Sequence, residues 1–229
     1  MKHLIETTGL NSLPITEYDR LILNSTKNEI IYRGGGYEYV DLGLPSGLKW
    51  AKCNVGAEKE TDYGDYFMWG SITPNTNTPC DWEHAPFNNG SSNFDSTYFN
   101  SVKKTVCPNG ILAKEYDAAR ANMGGDWRMP TKAEIQELLD NTSNKWTQVN
   151  GVYGRKFTSK KNGNSIFIPA SGNRSGSSFY SQGDIGFIWS SSHYTSYTNH
   201  AWYLNLSSYN ISILSDNRFY GYVVRGVCK

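Results

Sequence analysis

The sequence of 229 residues lacks the features that mark several common functional classes. No window approaches the roughly 20 apolar residues of a membrane-spanning helix, so no membrane span is predicted. The start, MKHLIETTGLNSLPITEYDR, has no apolar core of the kind found in secretory signal peptides, so no signal peptide is evident. The 22 Lys and Arg residues against 21 Asp and Glu give a formal net charge of +1. This balance predicts no nucleic-acid partner and leaves local surface chemistry to select the ligand.

The cysteines contain no C-x-x-C pair, which argues against zinc ribbons and thioredoxin-type redox sites. There are four, widely spaced: Cys53, Cys80, Cys107 and Cys228. Two interpretations stay open for them, namely buried thiols or one structural disulfide.

Metal-binding patterns are also missing. His3 and His84 are remote in sequence, and His193 and His200 lie in a predicted loop at a spacing that matches no helical ligand pair. The acidic run at 58–65 lacks the D-x-[DN]-x-[DN]-G order of a calcium loop, and a solvated face explains it better. The sequence therefore predicts no metal and no cofactor.

Residues 1–36 differ from the rest of the chain. Short alternating strands are predicted around Leu21–Leu23 and Ile30–Tyr32, joined by the turn-rich NSTKN and followed by three glycines at 34–36. This pattern suggests an adaptor or a homo-oligomerisation element. A tail that packs on the following domain is an equally good interpretation.

Two helices and an antiparallel sheet are predicted for residues 37–229. The first helix lies in KEYDAARANMGG, where apolar residues fall at helical spacing and two glycines supply the stop. The second follows Thr131, which forms a predicted capping box with Glu134 and precedes the apolar stripe Ile135, Leu138 and Leu139. After residue 141, segments such as SIFIPASG, AWYLNL and NISIL predict strands. The fold class is α+β, with long loops.

The C-terminal segment at about 190–227 is rich in Tyr, Ser, Asn, Thr and His, and no Lys or Glu occurs between Lys161 and Lys229. Alternation in AWYLNL predicts that Trp202, Leu204 and Leu206 face the core, and that Tyr203 faces outward. The outward composition is that of antibody paratopes, where Tyr gives large contact area at low entropic cost. We therefore predict one contiguous exposed surface that binds a protein or cell-surface ligand.

The predicted ligand-binding residues all lie in this segment, and their side chains are expected to point outward. They are His193, Tyr194, Thr195, Tyr197, Thr198, His200, Tyr203, Tyr209, Ser212, Leu214, Asp216, Phe219, Tyr220 and Tyr222. Solvated aromatic rings that only stack on one another are the alternative interpretation of this segment.

Six motifs in order resemble a known family: YVDLGLPSGLKWAKCNVGA, YGDYFMWG, MGGDWRMPTKAEIQELL, SIFIPASGNR, WSSS and VVRGV. They resemble the major paralogous domain of gut Bacteroidetes, a branch of the C-type lectin-like fold related to formylglycine-generating enzymes. The resemblance covers residues 37–227. It implies that the first and last strands pair, which would bring Cys53 near Cys228 and could allow a disulfide.

The C-terminal segment resembles the variable region of a diversity-generating retroelement protein. In such proteins, adenines of Asn codons are miscopied, and the resulting codons cannot encode Lys, Glu, Gln, Met or Trp. Among residues 193–222, average usage predicts roughly six residues of these types, whereas only Trp202 occurs. The bias agrees with this resemblance, although a polar solvent-facing sheet can have the same composition.

The resemblance implies a non-enzymatic, receptor-binding protein, because the related enzymes need a reactive cysteine pair and no cysteine lies close to Cys228. A carbohydrate-binding, lectin-like adhesin with a fixed pocket is the alternative. The expected location is a phage virion surface, such as a tail tip, or a bacterial cell surface.

Overall fold

One sheet contains both the N-terminal strands and the C-terminus. The computed structural model describes residues 22–24, 29–34 and 36–229. The strands of this sheet are β1 (Ile22–Asn24), β2 (Glu29–Gly34), β3 (Tyr37–Asp41), β4 (Lys49–Ala51) and β15 (Val227–Cys228). They lie in the order β1-β2-β3-β4-β15.

The predicted pair of N-terminal strands is confirmed. Strands β1 and β2 are antiparallel, with Leu23 opposite Ile30, and β2 continues through a second antiparallel pairing onto β3. The predicted turn at 25–28, together with Leu21 and Gly35, lies outside the described residues. The adaptor or oligomerisation role of residues 1–36 stays a prediction.

The chain termini of the folded domain pair as the resemblance implied. Strand β15 is antiparallel to β4, with Val227 opposite Trp50 and Cys228 opposite Lys49. The structure records no disulfide among the four cysteines. Pairing of the termini therefore rests on the β ladder, and the bridge between Cys53 and Cys228 is absent.

The second sheet carries most of the C-terminal segment. Its strands are β5 (Tyr66–Phe67), β11 (Ile185–His193), β12 (His200–Ser207), β13 (Ile211–Asn217) and β14 (Tyr222–Val223). They lie in the order β13-β12-β11-β14-β5, with only β11 and β14 parallel to each other.

This sheet has an apolar core on each face. Leu204 and Ile188 point to one core, together with Ile135 and Leu138 of a helix and Trp50 of β4. The other face packs into a second core that contains large aromatic side chains: Phe67, Trp69, Phe99, Trp127, Trp189, Tyr203 and Tyr222. In strands that are buried on both faces, buried and exposed residues no longer alternate.

A third sheet and a hairpin complete the β structure. The third sheet is antiparallel and contains β6 (Thr142–Val149), β7 (Val152–Ser159) and β8 (Ser165–Pro169). The hairpin is formed by β9 (Asn173–Ser175) and β10 (Ser178–Tyr180). Asn150 and Gly151 join β6 to β7 with positive φ angles of 47° and 85°. Asn-Gly favours this two-residue turn because both residues tolerate positive φ.

Three α-helices occur in the described residues: α1 (Ser96–Val106), α2 (Ala118–Met123) and α3 (Lys132–Asn141). The capping box of Thr131 and Glu134 is confirmed at α3. Helix α2 begins later than predicted because Asp117 caps it, accepting a hydrogen bond from the Arg120 N–H at 2.9 Å. No helix in this part of the chain is long and apolar enough to cross a membrane.

The prediction of only two helices is wrong, because α1 was missed. Its sequence, STYFNSVKKTV, is rich in β-branched and polar residues with low helix propensity. Two signals were present: Asp95, whose side chain accepts from the Tyr98 N–H, and the buried residues Phe99 and Val106 at helical spacing. The α+β class is confirmed, with long loops and sheets that are antiparallel apart from the parallel pair β11 and β14.

Candidate functional site

Two connections meet at one end of the second sheet. Residues 194–199 join β11 to β12, and residues 218–221 join β13 to β14. The Arg218 backbone N–H donates to the Asn199 carbonyl at 2.9 Å, and the Asn199 side-chain amide donates to Asn217 Oδ1 at 2.7 Å. We name residues 194–200 and 216–220 the loop end. Its two segments form one hydrogen-bonded unit.

Four aromatic rings cluster at the surface of the loop end. Tyr194 meets the ring of Trp202 edge to face at a centroid distance of 4.8 Å and lies 5.8 Å from the ring of Tyr197. Tyr197 in turn lies 5.6 Å from the ring of His200, and 62% of Tyr197 is exposed. Such contacts hold each ring in place while leaving apolar and hydrogen-bonding surface accessible.

The side chain of Arg218 lies beneath the surface side chains of the loop end. It is fully buried, with Nε donating to the Thr198 carbonyl at 3.2 Å and Nη1 donating to the Pro86 carbonyl at 3.3 Å. Its guanidinium lies 4.0 Å from the centroid of the Phe99 ring of α1. Burial lowers the pKa of Arg218 to about 9. This side chain joins the 194–199 connection to α1 and to the segment around residue 86.

His193 lies beneath the same connection, and its predicted exposure is wrong. It is 3% exposed, stacks on Phe99 at 5.2 Å and lies with Nε2 3.1 Å from the Thr198 carbonyl. Burial is the main reason that its pKa is lowered to about 4, so the ring is neutral at pH 7 and Nε2–H is the donor in this contact. His193 pairs with Ala201 across the ladder and therefore shares the face that enters the aromatic core.

Tyr203 and Tyr222 are also buried, contrary to the prediction, at 5% and 1% exposure. The Tyr222 ring stacks on that of Trp189 at a centroid distance of 4.2 Å, and the centroids of the Tyr203 and Tyr222 rings are 5.0 Å apart. Burial raises the pKa of Tyr203 to about 12 and raises the pKa of Tyr222 well above its ordinary value. The alternation predicted for β12 is correct in phase, but the face expected to meet solvent packs into the second core.

Asp216 links this buried pair to the surface. Its Oδ2 accepts a hydrogen bond from the Tyr222 hydroxyl at 2.9 Å, and its Oδ1 accepts from the Asn217 N–H at 2.7 Å. The carboxylate also acts on His200, whose pKa is lowered mainly by burial and raised in opposition by Asp216. Asp216 therefore provides negative charge at the loop end while its own oxygens are held in place.

Trp202 is half-buried, although the sequence placed it in the core. The Lys132 ammonium of α3 lies 3.4 Å from the centroid of its ring. A cation at this distance is attracted to the ring face. The contact ties the N-terminal turn of α3 to the aromatic cluster at the loop end.

A family model described as the Lcl C-terminal domain matches residues 43–227. The chain belongs to this family. It is a family of diversity-generating-retroelement variable, C-type lectin-like domains, and the resemblance found in the sequence is thereby confirmed. No curated protein and no solved structure matches the chain.

Within this Lcl C-terminal domain, the predicted residues do not form one contiguous exposed surface, so that prediction is wrong. Three predicted residues are buried: His193, Tyr203 and Tyr222. Eight lie at the loop end: Tyr194, Thr195, Tyr197, Thr198, His200, Asp216, Phe219 and Tyr220. Three lie away from it along β13 or in the β12–β13 turn: Tyr209, Ser212 and Leu214. Tyr209 is 97% exposed but sits at the opposite end of β12, about 23 Å away for a strand of this length.

Sequence reasoning missed the side chains that support the loop end. Arg218 had a usable signal, because it is the one Lys or Arg in residues 193–222. Trp82 packs against Phe219 at 5.1 Å, and Lys132 meets Trp202, but both come from distant parts of the sequence. Such long-range contacts leave no local pattern. In the described part of the chain, no cluster of three or more His, Cys, Asp or Glu residues could hold a metal ion.

Proposed function

We propose that this chain is a non-enzymatic receptor-binding protein with a C-type lectin-like fold. Its loop end contacts a protein on a cell surface. The buried residues beneath it, among them His193 and Arg218, form a frame that keeps the same shape while the exposed loop-end side chains vary. The observation that carries this proposal is the surface cluster of Tyr194, Tyr197 and His200 above the buried Arg218, in which Tyr197 is 62% exposed.

The chemistry of the loop end suits macromolecular recognition. Tyr and His present flat rings with one polar group, and their neighbours Thr195, Thr198 and Asn199 add short hydrogen-bonding side chains. Rigid aromatic anchors surrounded by adaptable polar groups are typical of paratopes. Such a surface gains affinity when its rings are held in position before binding.

The frame beneath supports variation at the surface. The Thr198 carbonyl is held by Arg218 Nε and His193 Nε2, and the Asn199 carbonyl is held by the Arg218 N–H. These bonds fix the backbone of the connection without using the exposed side chains. Substitution of Tyr194, Thr195 or Tyr197 therefore changes surface chemistry with little effect on the fold.

A whole-cell binding assay tests this proposal. The probe is a panel of intact gut Bacteroidetes cells, and binding is measured for the wild-type chain, for Tyr197→Ser and for the control Tyr180→Ser. Tyr180 is 53% exposed on β10 and is not one of the loop-end residues. We expect Tyr197→Ser to weaken cell binding about tenfold or more, as for a central aromatic anchor, and Tyr180→Ser to bind as wild type. Equal binding by the two variants would contradict the assignment of the loop end.

A parallel glycan array separates this proposal from a carbohydrate-binding adhesin. A protein receptor predicts that protease treatment of the cells abolishes binding and that no glycan competes. Competition by one glycan class would replace the protein receptor with a sugar. We propose a virion tail or a bacterial cell surface as the location, with residues 1–36 as the attachment or oligomerisation element.

A further inference from the structure

Strand β13 has an unused edge. It is the outermost strand of the second sheet, and no strand in the described part of the chain pairs with its outer side. Its sequence, ISILSDN, contains neither Lys nor Pro, the residues that commonly block strand edges. All seven residues are half-buried or exposed, and Leu214 is 44% exposed.

Hydrogen bonds at both ends of the β12–β13 hairpin fix which backbone groups point to this edge. The Ser207 N–H donates to the Asn210 carbonyl at 2.9 Å, and the Arg218 N–H donates to the Asn199 carbonyl. In an antiparallel ladder, successive residues alternate between the neighbouring strand and the opposite side. The residues whose N–H and C=O groups point outward are therefore Ile211, Ile213, Ser215 and Asn217.

Side chains and a turn close the two ends of this edge. Asn210 Oδ1 accepts from the Ile211 N–H at 2.8 Å, and Asp216 Oδ1 accepts from the Asn217 N–H at 2.7 Å. The Asn217 carbonyl accepts from the Tyr220 N–H at 3.2 Å. Between these caps, the outward N–H and C=O groups of Ile213 and Ser215 have no partner in the described residues.

We propose that the open edge at Ile213–Ser215 accepts an extended segment of the protein ligand by β-strand addition. Two residues of an incoming antiparallel strand then exchange both backbone hydrogen bonds with Ile213 and Ser215. This inference rests on the proposed function and names the chemistry of the partner: an unpaired strand or a linear peptide.

The edge is continuous with the loop end, which adds side-chain selection to backbone pairing. Ser215 pairs with Trp202 across the ladder, and its hydroxyl lies 3.4 Å from His200 Nδ1. Leu214 pairs with Tyr203 and projects from the other face. Alternate side chains of an added strand would therefore meet the aromatic cluster on one face and Leu214 on the other.

The caps favour a ligand segment over a second copy of this chain. Two copies related about Leu214 could pair Ile213 with Ser215 in both directions, but the capped N–H groups of Ile211 and Asn217 stop the ladder from growing. So short a pairing falls well below the roughly 800 Å² per partner of a stable interface. A ligand segment avoids this limit because the rest of the ligand contacts the loop end.

Proline at one edge position provides a matched test. Peptides of about ten residues, randomised at alternate positions, are displayed and selected on the full wild-type chain, and then measured on Ser215→Pro and Ser215→Ala. Both variants lose the hydroxyl, but only proline deletes the outward N–H, which the β12–β13 ladder does not use. We expect binding within about threefold of wild type for Ser215→Ala and at least tenfold weaker for Ser215→Pro, or about 1.4 kcal/mol. Equal binding by both variants overturns the inference.

Amide hydrogen exchange on the wild-type chain supplies a second readout that does not depend on the folding of Ser215→Pro. In the free protein, the Ile213 and Ser215 amides should exchange faster than those of Ser212 and Leu214, which face β12. Added peptide should protect both. Unchanged exchange overturns the inference, as does protection that rises with protein concentration alone, which indicates a second copy. A ligand that depends on Tyr197 but leaves both amides unprotected would overturn the strand-addition inference and leave the proposed function intact.

Discussion

Tyr197 and Tyr222 belong to the same polar C-terminal segment and lie in opposite environments. Tyr197 is 62% exposed on the 194–199 connection, whereas Tyr222 is 1% exposed and stacks on Trp189. The difference arises from the sheet, because β14 lies between β11 and β5 with a core on both faces, while the connection lies beyond the end of the sheet. Position relative to the sheet, and not residue type, decides which tyrosines are exposed.

The two histidines repeat this comparison. His193 ends β11 and enters the aromatic core, whereas His200 begins β12 and is half-buried beside Tyr197. Burial lowers the pKa of His193 to about 4, and it lowers the pKa of His200 as well, against the opposing charge of Asp216. One histidine belongs to the frame and the other to the surface.

The largest expected effect is on the buried member of the tyrosine pair. Tyr222→Ala should lower the free energy of unfolding by about 3–5 kcal/mol, because it empties a large aromatic site in the core. Tyr222→Phe keeps the ring and removes only the hydrogen bond to Asp216, so about 1 kcal/mol is expected. Urea denaturation measures both. A loss below 1 kcal/mol for Tyr222→Ala would place this ring outside the core.

The buried histidine predicts a pH dependence. Because the pKa of His193 falls to about 4 in the folded protein from 6.5, the unfolded chain binds its proton more readily. The contribution of neutral His193 to the free energy of unfolding should be fully present above about pH 6.5. The free energy of unfolding should then fall by on the order of 2–3 kcal/mol as the pH drops toward 4. His193→Phe, which keeps a ring on Phe99, should show a flatter dependence between pH 7 and pH 4.5. If the free energy of unfolding depended on pH in the same way for wild type and His193→Phe, other groups would be responsible for the loss of stability at acidic pH.

A smaller effect on the free energy of unfolding is expected at Trp202 and at Lys132, whose ammonium lies over the Trp202 ring. Trp202 is half-buried, so Trp202→Ala should cost about 1–2 kcal/mol of stability, less than full burial would give. Lys132→Ala removes only the cation above the ring, and about 0.5–1 kcal/mol is expected. In the double variant, the Lys132 effect should vanish, because its partner is gone. Additive losses would show that Lys132 and Trp202 act independently.

The smallest effect is expected at the far end of the hairpin. Tyr209 is 97% exposed, so Tyr209→Ala should change the thermal midpoint little, within about 0.5 kcal/mol. It should also leave cell binding unchanged, because Tyr209 lies away from the loop end. Loss of cell binding in this variant would extend the proposed ligand-binding surface along the whole of β12 and β13.

Local signals predicted much of the fold. The capping box of α3 and the phase of β12 follow from short sequence patterns, and the pairing of the terminal strands follows from the family resemblance. The site was harder to predict, because Tyr203 belongs to a core cluster that also contains Phe67 and Phe99 from remote segments. Alternation gives the face of a side chain, but it does not tell what covers that face.

The most direct test of the account separates binding from folding in one pair of multiple variants. One variant replaces Tyr194, Tyr197, His200 and Tyr220 of the loop end with Ser. The matched variant replaces four exposed aromatics outside it: Tyr153, Phe179, Tyr180 and Tyr209. Both variants should melt within about 8 °C of wild type, and only the loop-end variant should lose binding to cells that the wild-type chain recognises. Retention of cell binding by the loop-end variant would contradict the account.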